Sequence, residues 1–109
     1  MAYDEQLAKR LSKLIAERND FREQKMFGGV GFLLRGNMCF GVYQDYLILR
    51  LGEDQGSEAL KKAHTKPFDI TGRAMKGWIM VAPKGIASET SLKKWIMPAI
   101  DFVSRLPRK

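Results

Sequence analysis

The sequence predicts a two-layer α+β domain in the order α-β(3)-α-β(2)-α, with a mostly antiparallel five-stranded sheet. Apolar residues recur every three or four positions near both ends of the chain. They recur every second position between Met26 and Leu51, and again from Trp78 to Ala82. The first period belongs to amphipathic helices and the second to strands, and helices laid on one sheet bury both kinds of apolar face. With 109 residues, 45% of them hydrophobic and 28% charged, the chain is expected to form a single domain over 1–109. That composition excludes a disordered or fibrous chain.

Leu7, Leu11, Leu14 and Ile15 share one side of the first helix, opposite Lys9, Arg10, Lys13, Glu17 and Arg18. Asp4 and Glu5 suit the positive end of its dipole, and Asn19-Asp20 marks the exit. From Met26 the period is two. Val30, Phe32 and Leu34, then Met38, Phe40 and Val42, flank Gly36-Asn37, which reads as a hairpin turn because both residues tolerate positive φ. A second turn at Gln44-Asp45 leads into a third strand, Tyr46 to Leu51. The polar stretch Glu53 to Ala63 reads as a short surface helix offering Ala59, Leu60 and Ala63. Pro67 lacks a backbone donor, so Lys66 to Ile70 is placed on an edge strand. The strand at Trp78 to Ala82 is apolar on both faces and is expected to be central. Ser88 or Ser91 caps a last helix with the stripe Leu92, Trp95, Ile96, Ala99, Ile100, Val103 and Leu106, with a kink expected at Pro98. A basic tail, Arg105 to Lys109, follows.

No apolar run approaches the roughly 18–20 residues that cross a bilayer, and the start, MAYDEQLAKR, is unlike a secretion signal, so a cytoplasmic protein with no membrane partner is expected. The single cysteine, Cys39, rules out an internal disulfide, and Cys39 with the one histidine, His64, cannot build a conventional zinc site without carboxylates. Neither a metal site nor a cofactor motif is legible. The glycine cluster Phe27-Gly28-Gly29-Val30-Gly31 is followed by strand periodicity rather than a helix. It therefore fits a bulge, or close approach of a helix to the sheet, better than a phosphate-binding loop.

Cys39 and His64 are the one obvious nucleophile and base, yet a thiol between Met38 and Phe40 in mid-strand fits packing, and His64 at a helix end fits the dipole. No catalytic residue is assigned. The formal net charge of +7 is lopsided: residues 1–54 carry eight basic and eight acidic groups, and residues 55–109 carry eleven and four. Lys61, Lys62, Lys66, Arg73, Lys76 and Lys84 stand against Asp69 alone, with Phe68 and Trp78 interleaved. Basic groups beside aromatics can hold a phosphate backbone and stack a base. The competing account buries Phe68 and Trp78 and leaves the lysines as a solvated rim.

The segments Met26-Phe27-Gly28-Gly29-Val30-Gly31-Phe32, Gly36-Asn37-Met38-Cys39-Phe40-Gly41-Val42, Pro67-Phe68-Asp69, Thr71-Gly72-Arg73-Ala74-Met75-Lys76-Gly77 and Leu92-Lys93-Lys94-Trp95 together resemble the TfoX/Sxy N-terminal domain family, from about Ala8 to Lys109. The resemblance implies a secretion-chaperone-like α-β(3)-α-β(2)-α fold and an association with competence regulation, and it implies no catalytic residues. Longer members carry a second domain resembling helix-hairpin-helix modules, which this chain is expected to lack as a stand-alone N-terminal domain. Ala74 stands where the family pattern has proline.

These features point to a non-catalytic binding or regulatory domain that engages nucleic acid, or another anionic macromolecule such as an acidic protein, through Lys61, Lys62, Lys66, Arg73, Lys76 and Lys84. The alternative is a protein-interaction or homodimerisation module using the strand edge at Pro67 to Ile70 or the Trp95 helix. A third reading, an enzyme acting on a small anion, needs an enclosed pocket holding Arg73 or Lys76 beside a titratable partner.

Overall fold

The computed structural model describes residues 3–26, 28–69, 72 and 75–107. Ile70 of the predicted edge strand, Arg73, Ala74 and the end of the basic tail lie outside the described residues. Helix α1 (Glu5–Leu14) opens on Asp4, whose carboxylate accepts from the N–H groups of Gln6 and Leu7 at 3.0 and 3.1 Å. Its apolar side buries Leu7, Ala8 and Leu11, with Ile15 just beyond its end.

Six strands follow among the described residues, one more than the periodicity predicts: β1 (Phe21–Met26), β2 (Gly29–Leu34), β3 (Asn37–Tyr43), β4 (Tyr46–Arg50), β5 (Thr65–Pro67) and β6 (Trp78–Val81). All pair antiparallel in the order β1-β2-β3-β4-β6-β5. The strand missed from sequence is β1, Phe-Arg-Glu-Gln-Lys-Met. As a sheet edge, it holds Arg22, Glu23, Gln24 and Lys25 in solvent on both faces while Phe21 packs against the core, so no apolar alternation marks it. The β2–β3 turn also falls one residue earlier than predicted. Leu34 pairs with Asn37, and Arg35 and Gly36 take the positive-φ positions at 52° and 89°. Arg35 is fixed there by its N–H, which donates to the Asp20 carbonyl at 3.1 Å, while the Asn37 amide donates to the Pro107 carbonyl at 2.9 Å.

Phe32 pairs with Phe40 but Leu33 pairs with Met38, so Cys39 is the extra residue of a β-bulge, and Cys39 and Phe40 both join the core under the helices. Within the glycine cluster, Gly29 serves strand packing and not a helix contact: a Cβ there would run into the Val42 carbonyl oxygen, and one on Gly41 of the paired strand would lie 2.5 Å from that of Val30.

Helix α2 (Glu53–Ala59) ends four residues short of the predicted Ala63, because the chain turns back through Leu60 to His64 into β5, with the Thr65 hydroxyl donating to the Ala59 and Lys62 carbonyls. β5 is shorter than the predicted 66–70. After Pro67 the chain leaves the sheet, and Phe68 buries against Ile48 and Met80. β6 is not at the middle of the sheet but is interior, flanked by β4 and the short edge strand β5, which suffices for its two apolar faces, with Ile79 and Val81 under the helices and Met80 opposite. A 3-10 turn (Pro83–Ile86) leads to α3 (Glu89–Ser104), capped by Ser88, whose hydroxyl oxygen accepts from the Ser91 N–H at 3.0 Å. The helix runs through Pro98, which has no N–H for the Lys94 carbonyl, and buries Leu92, Ile96, Ala99, Ile100 and Val103. Each large buried side chain contributes about 1.5–3 kcal/mol. No helix among the described residues is long and apolar enough to cross a membrane.

Candidate functional site

Strand register divides the side chains between two faces of the sheet. Phe32, Phe40, Val42, Leu47, Leu49, Ile79 and Val81 form the main core with α1 and α3. On the other face, Gln24, Gly31, Gly41, Ile48, Met80 and Lys66 pair in turn across all six strands. Arg22, Leu33 and Met38, then Arg50 and Trp78, run on one side of that row, with the Tyr43–Tyr46 pair on the other. The small buried cluster on this face, Ile48, Met80 and Phe68, is ringed by Tyr43, Tyr46 and Trp78 and includes no helix residue. Arg22, Gln24 and Lys66 are exposed, and Leu33, Met38, Tyr43, Tyr46, Arg50 and Trp78 are half-buried.

Two cations on this face sit over aromatic rings. The Lys66 ammonium is 4.7 Å from the centre of the Tyr46 ring. The Arg50 guanidinium is 5.3 Å from that of Trp78, which in turn stacks on Phe68 at 5.6 Å. The charges of the strands are one-sided. Glu23 is the one carboxylate in any described strand, and its place opposite Phe32 sends it to the helix side, where the Ser12 hydroxyl donates to it at 3.2 Å. Among the described residues the open face therefore carries Arg22, Arg50 and Lys66 with no strand carboxylate; the exposed Asp45 and Asp69 stand in the adjoining connections, and Glu53 and Asp54 of α2 share a groove with Trp78 at its margin.

The six residues singled out from sequence do not share one surface feature. Lys66 is on the open face. Lys61 pairs with Glu58 at 3.3 Å, both side chains being 73% exposed. Lys62 leans the other way, its ammonium 5.4 Å from the centre of the Trp95 ring on α3. There it lines a groove of about 430 Å³ with Asp54, Glu58 and Lys94, whose charges balance. Lys76 borders a different groove, with Glu53, Asp54, Met75 and Trp78. Lys84 sits in the 3-10 turn, and Arg73 lies outside the described residues. Trp78 does face the sheet cluster, as the burial account requires, but it remains half-buried. Sequence reading missed Arg22, Tyr43, Tyr46 and Arg50. Tyr46 and Arg50 stand four apart on a strand, which puts them on one face, but only the β4–β6 register shows that Trp78 joins them.

Cys39 has no solvent exposure, and burial pushes its thiol up to about 12, which leaves it protonated and unreactive at neutral pH. His64 is exposed in the turn before β5 at φ 68°. Among the described residues no three His, Cys, Asp or Glu side chains come together to hold a metal, and no buried side-chain polar atom lacks a partner. The marked carboxylate shift is at Asp20, held below the usual range by hydrogen bonds from Arg18, whose guanidinium is raised in turn. That pair closes the α1–β1 connection, with Arg18 over the Phe21 ring at 5.4 Å.

Compared with known families, residues 13–103 match the TfoX N-terminal domain. No curated protein and no solved structure matches the chain.

Proposed function

The chain belongs to the TfoX N-terminal domain family, and on that premise we propose that it is a non-catalytic binding domain that engages nucleic acid through the open face of its sheet. The observation that carries this reading is the partition of charge by strand register: Arg22, Arg50 and Lys66 lie on the face opposite α1 and α3, and the one carboxylate in the described strands lies on the other. A cationic surface with half-buried aromatic rings suits a polyanion with stacking bases. A role in competence regulation of the kind the family name implies calls for a partner, not a reaction. The buried, protonated Cys39 supports the non-catalytic part of the reading.

The test is a titration of labelled oligonucleotides, single-stranded and duplex, at several salt concentrations. Saturable binding that weakens with salt, by about 0.7–0.9 in log–log slope per phosphate neutralised, is the expected result. Absence of saturable binding at low salt overturns the reading.

A second reading, homodimerisation, is favoured by one specific feature, the free edge of β1. The Arg35 N–H bonds to the Asp20 carbonyl, so alternate residues from Asp20 aim their backbone groups at β2, and those of Phe21, Glu23 and Lys25 point outward. Antiparallel pairing of two β1 strands about Gln24 sets Glu23 opposite the partner's Lys25. Pairing about Glu23 or Lys25 sets like charges face to face. This edge is longer than that of β5, which has three residues and ends in Pro67.

A further inference from the structure

Resting on the nucleic-acid reading above, we infer that the open face selects single strands over duplex, because its cations are stored on aromatic rings that bases can take over. Lys66 lies over Tyr46 and Arg50 over Trp78, at 4.7 and 5.3 Å. A cation held over a ring is attracted by the ring's negative face, at a distance that keeps its N–H groups close to the sheet surface. A base arriving at either ring replaces the cation there, and the displaced cation reaches the phosphate of the same nucleotide. The exchange trades a cation–ring contact for a base–ring stack and a charge-assisted hydrogen bond. Only an unpaired base offers its flat surface in this way, since the bases of a duplex are stacked on each other and turn their edges outward. The two rings are well separated on the sheet: Tyr46 stands one residue before the first β4–β6 pair, Leu47–Val81, and Trp78 is in the last, Arg50–Trp78, with Tyr46 beside Tyr43 and Trp78 beside Phe68. They therefore act as two stacking positions along one strand. Arg22 on β1 extends the cationic track to the far edge of the sheet.

The chain supplies its own reporter. Its tryptophans are Trp78, on the open face, and Trp95, on α3 in the other layer. Trp95→Phe leaves Trp78 as the sole tryptophan, and the conservative Trp78→Phe leaves Trp95. Each protein is titrated with a fifteen-thymidine DNA strand, an abasic strand of the same length and a fifteen-base-pair duplex, by intrinsic fluorescence and by anisotropy of the labelled nucleic acid. The expected result is quenching of Trp78 by the thymidine strand and not by the abasic one, no quenching in the Trp78→Phe protein, and affinity for the single strand about tenfold above that for duplex. Arg50→Gln with Lys66→Gln, substitutions on exposed and half-exposed positions, should weaken thymidine-strand binding about tenfold. Equal or tighter duplex binding, or strand binding that leaves Trp78 fluorescence unchanged, overturns the single-strand inference while leaving the nucleic-acid reading in place. Failure of all three probes to bind overturns both.

Discussion

The guanidinium of Arg50 lies 5.3 Å from the centre of the Trp78 ring, and the two residues face each other across the β4–β6 pair on the side of the sheet away from the helices. The pairing joins the end of the β1–β4 meander to the chain that returns after α2, and it puts a charge and a large ring at one position of an open surface. Its stability value is modest. Arg50→Ala should cost about 0.5–1 kcal/mol, read from urea unfolding midpoints. In a Trp78→Leu background the same change should cost less, leaving only what the Arg50 guanidinium gains by donating to the Met38 carbonyl at 3.5 Å, and an unchanged cost there would show that the ring contributes nothing.

Charge reversal separates the open face from the rest of the basic surface. Arg22→Glu or Lys66→Glu should weaken single-strand binding and lower the salt slope by about 0.7 for each phosphate that is no longer neutralised. Lys61→Glu, at a position already paired with Glu58, should leave the slope within experimental scatter of the parent. A larger effect at Lys61 than at Lys66 would move the site to the α2 turn.

Cys39 sets an alkaline limit on stability. Its thiol rises from an ordinary 9.0 to about 12 in the fold because burial disfavours the thiolate. The folded state therefore retains a proton that the unfolded state gives up, and this contribution is fully present below pH 9 and is lost progressively between pH 9 and about 12. Unfolding midpoints of the parent should fall relative to Cys39→Ala across that window. A thiol reagent at pH 8 should modify Cys39 only at the rate of unfolding, and fast labelling of the native protein would contradict the burial argument.

Gly41 is fixed by the neighbouring backbone. A methyl group there would lie 2.5 Å from the Val30 carbonyl oxygen, which has no flexible way to retreat. Gly41→Ala should cost about 1–3 kcal/mol, measured by chemical denaturation. A neutral result would mean that β2 and β3 separate more easily than their pairing implies.

The β1 edge gives a sharp test of self-association. Sedimentation at low and high protein concentration should show a dimer that Lys25→Pro abolishes, since that N–H points outward and its loss spares the β1–β2 ladder. A monomer at all concentrations would remove the dimer reading and leave the nucleic-acid reading untouched.

What the sequence determined by itself is local. The stripe from Leu92 to Val103, the amphipathic pattern of α1 and the alternation in β2, β3 and β4 each record burial of one side of a single element, and a residue carries that record whatever its distant neighbours are. Pro67 likewise announces an edge, because a missing donor cannot be hidden inside a sheet. Tertiary structure decided the rest. β1 leaves no apolar record because most of its side chains meet water, and its existence depends on pairing with β2. The face presented by Arg50, Lys66, Tyr46 and Trp78 depends on β6 lying between β4 and β5, a long-range register to which no short stretch of residues is sensitive. Runs of lysine along the chain marked a segment. The pleat of the sheet, which turns successive side chains to opposite sides, divided that segment among several surfaces and brought Arg22 and Arg50 from the electrically neutral half to stand with Lys66.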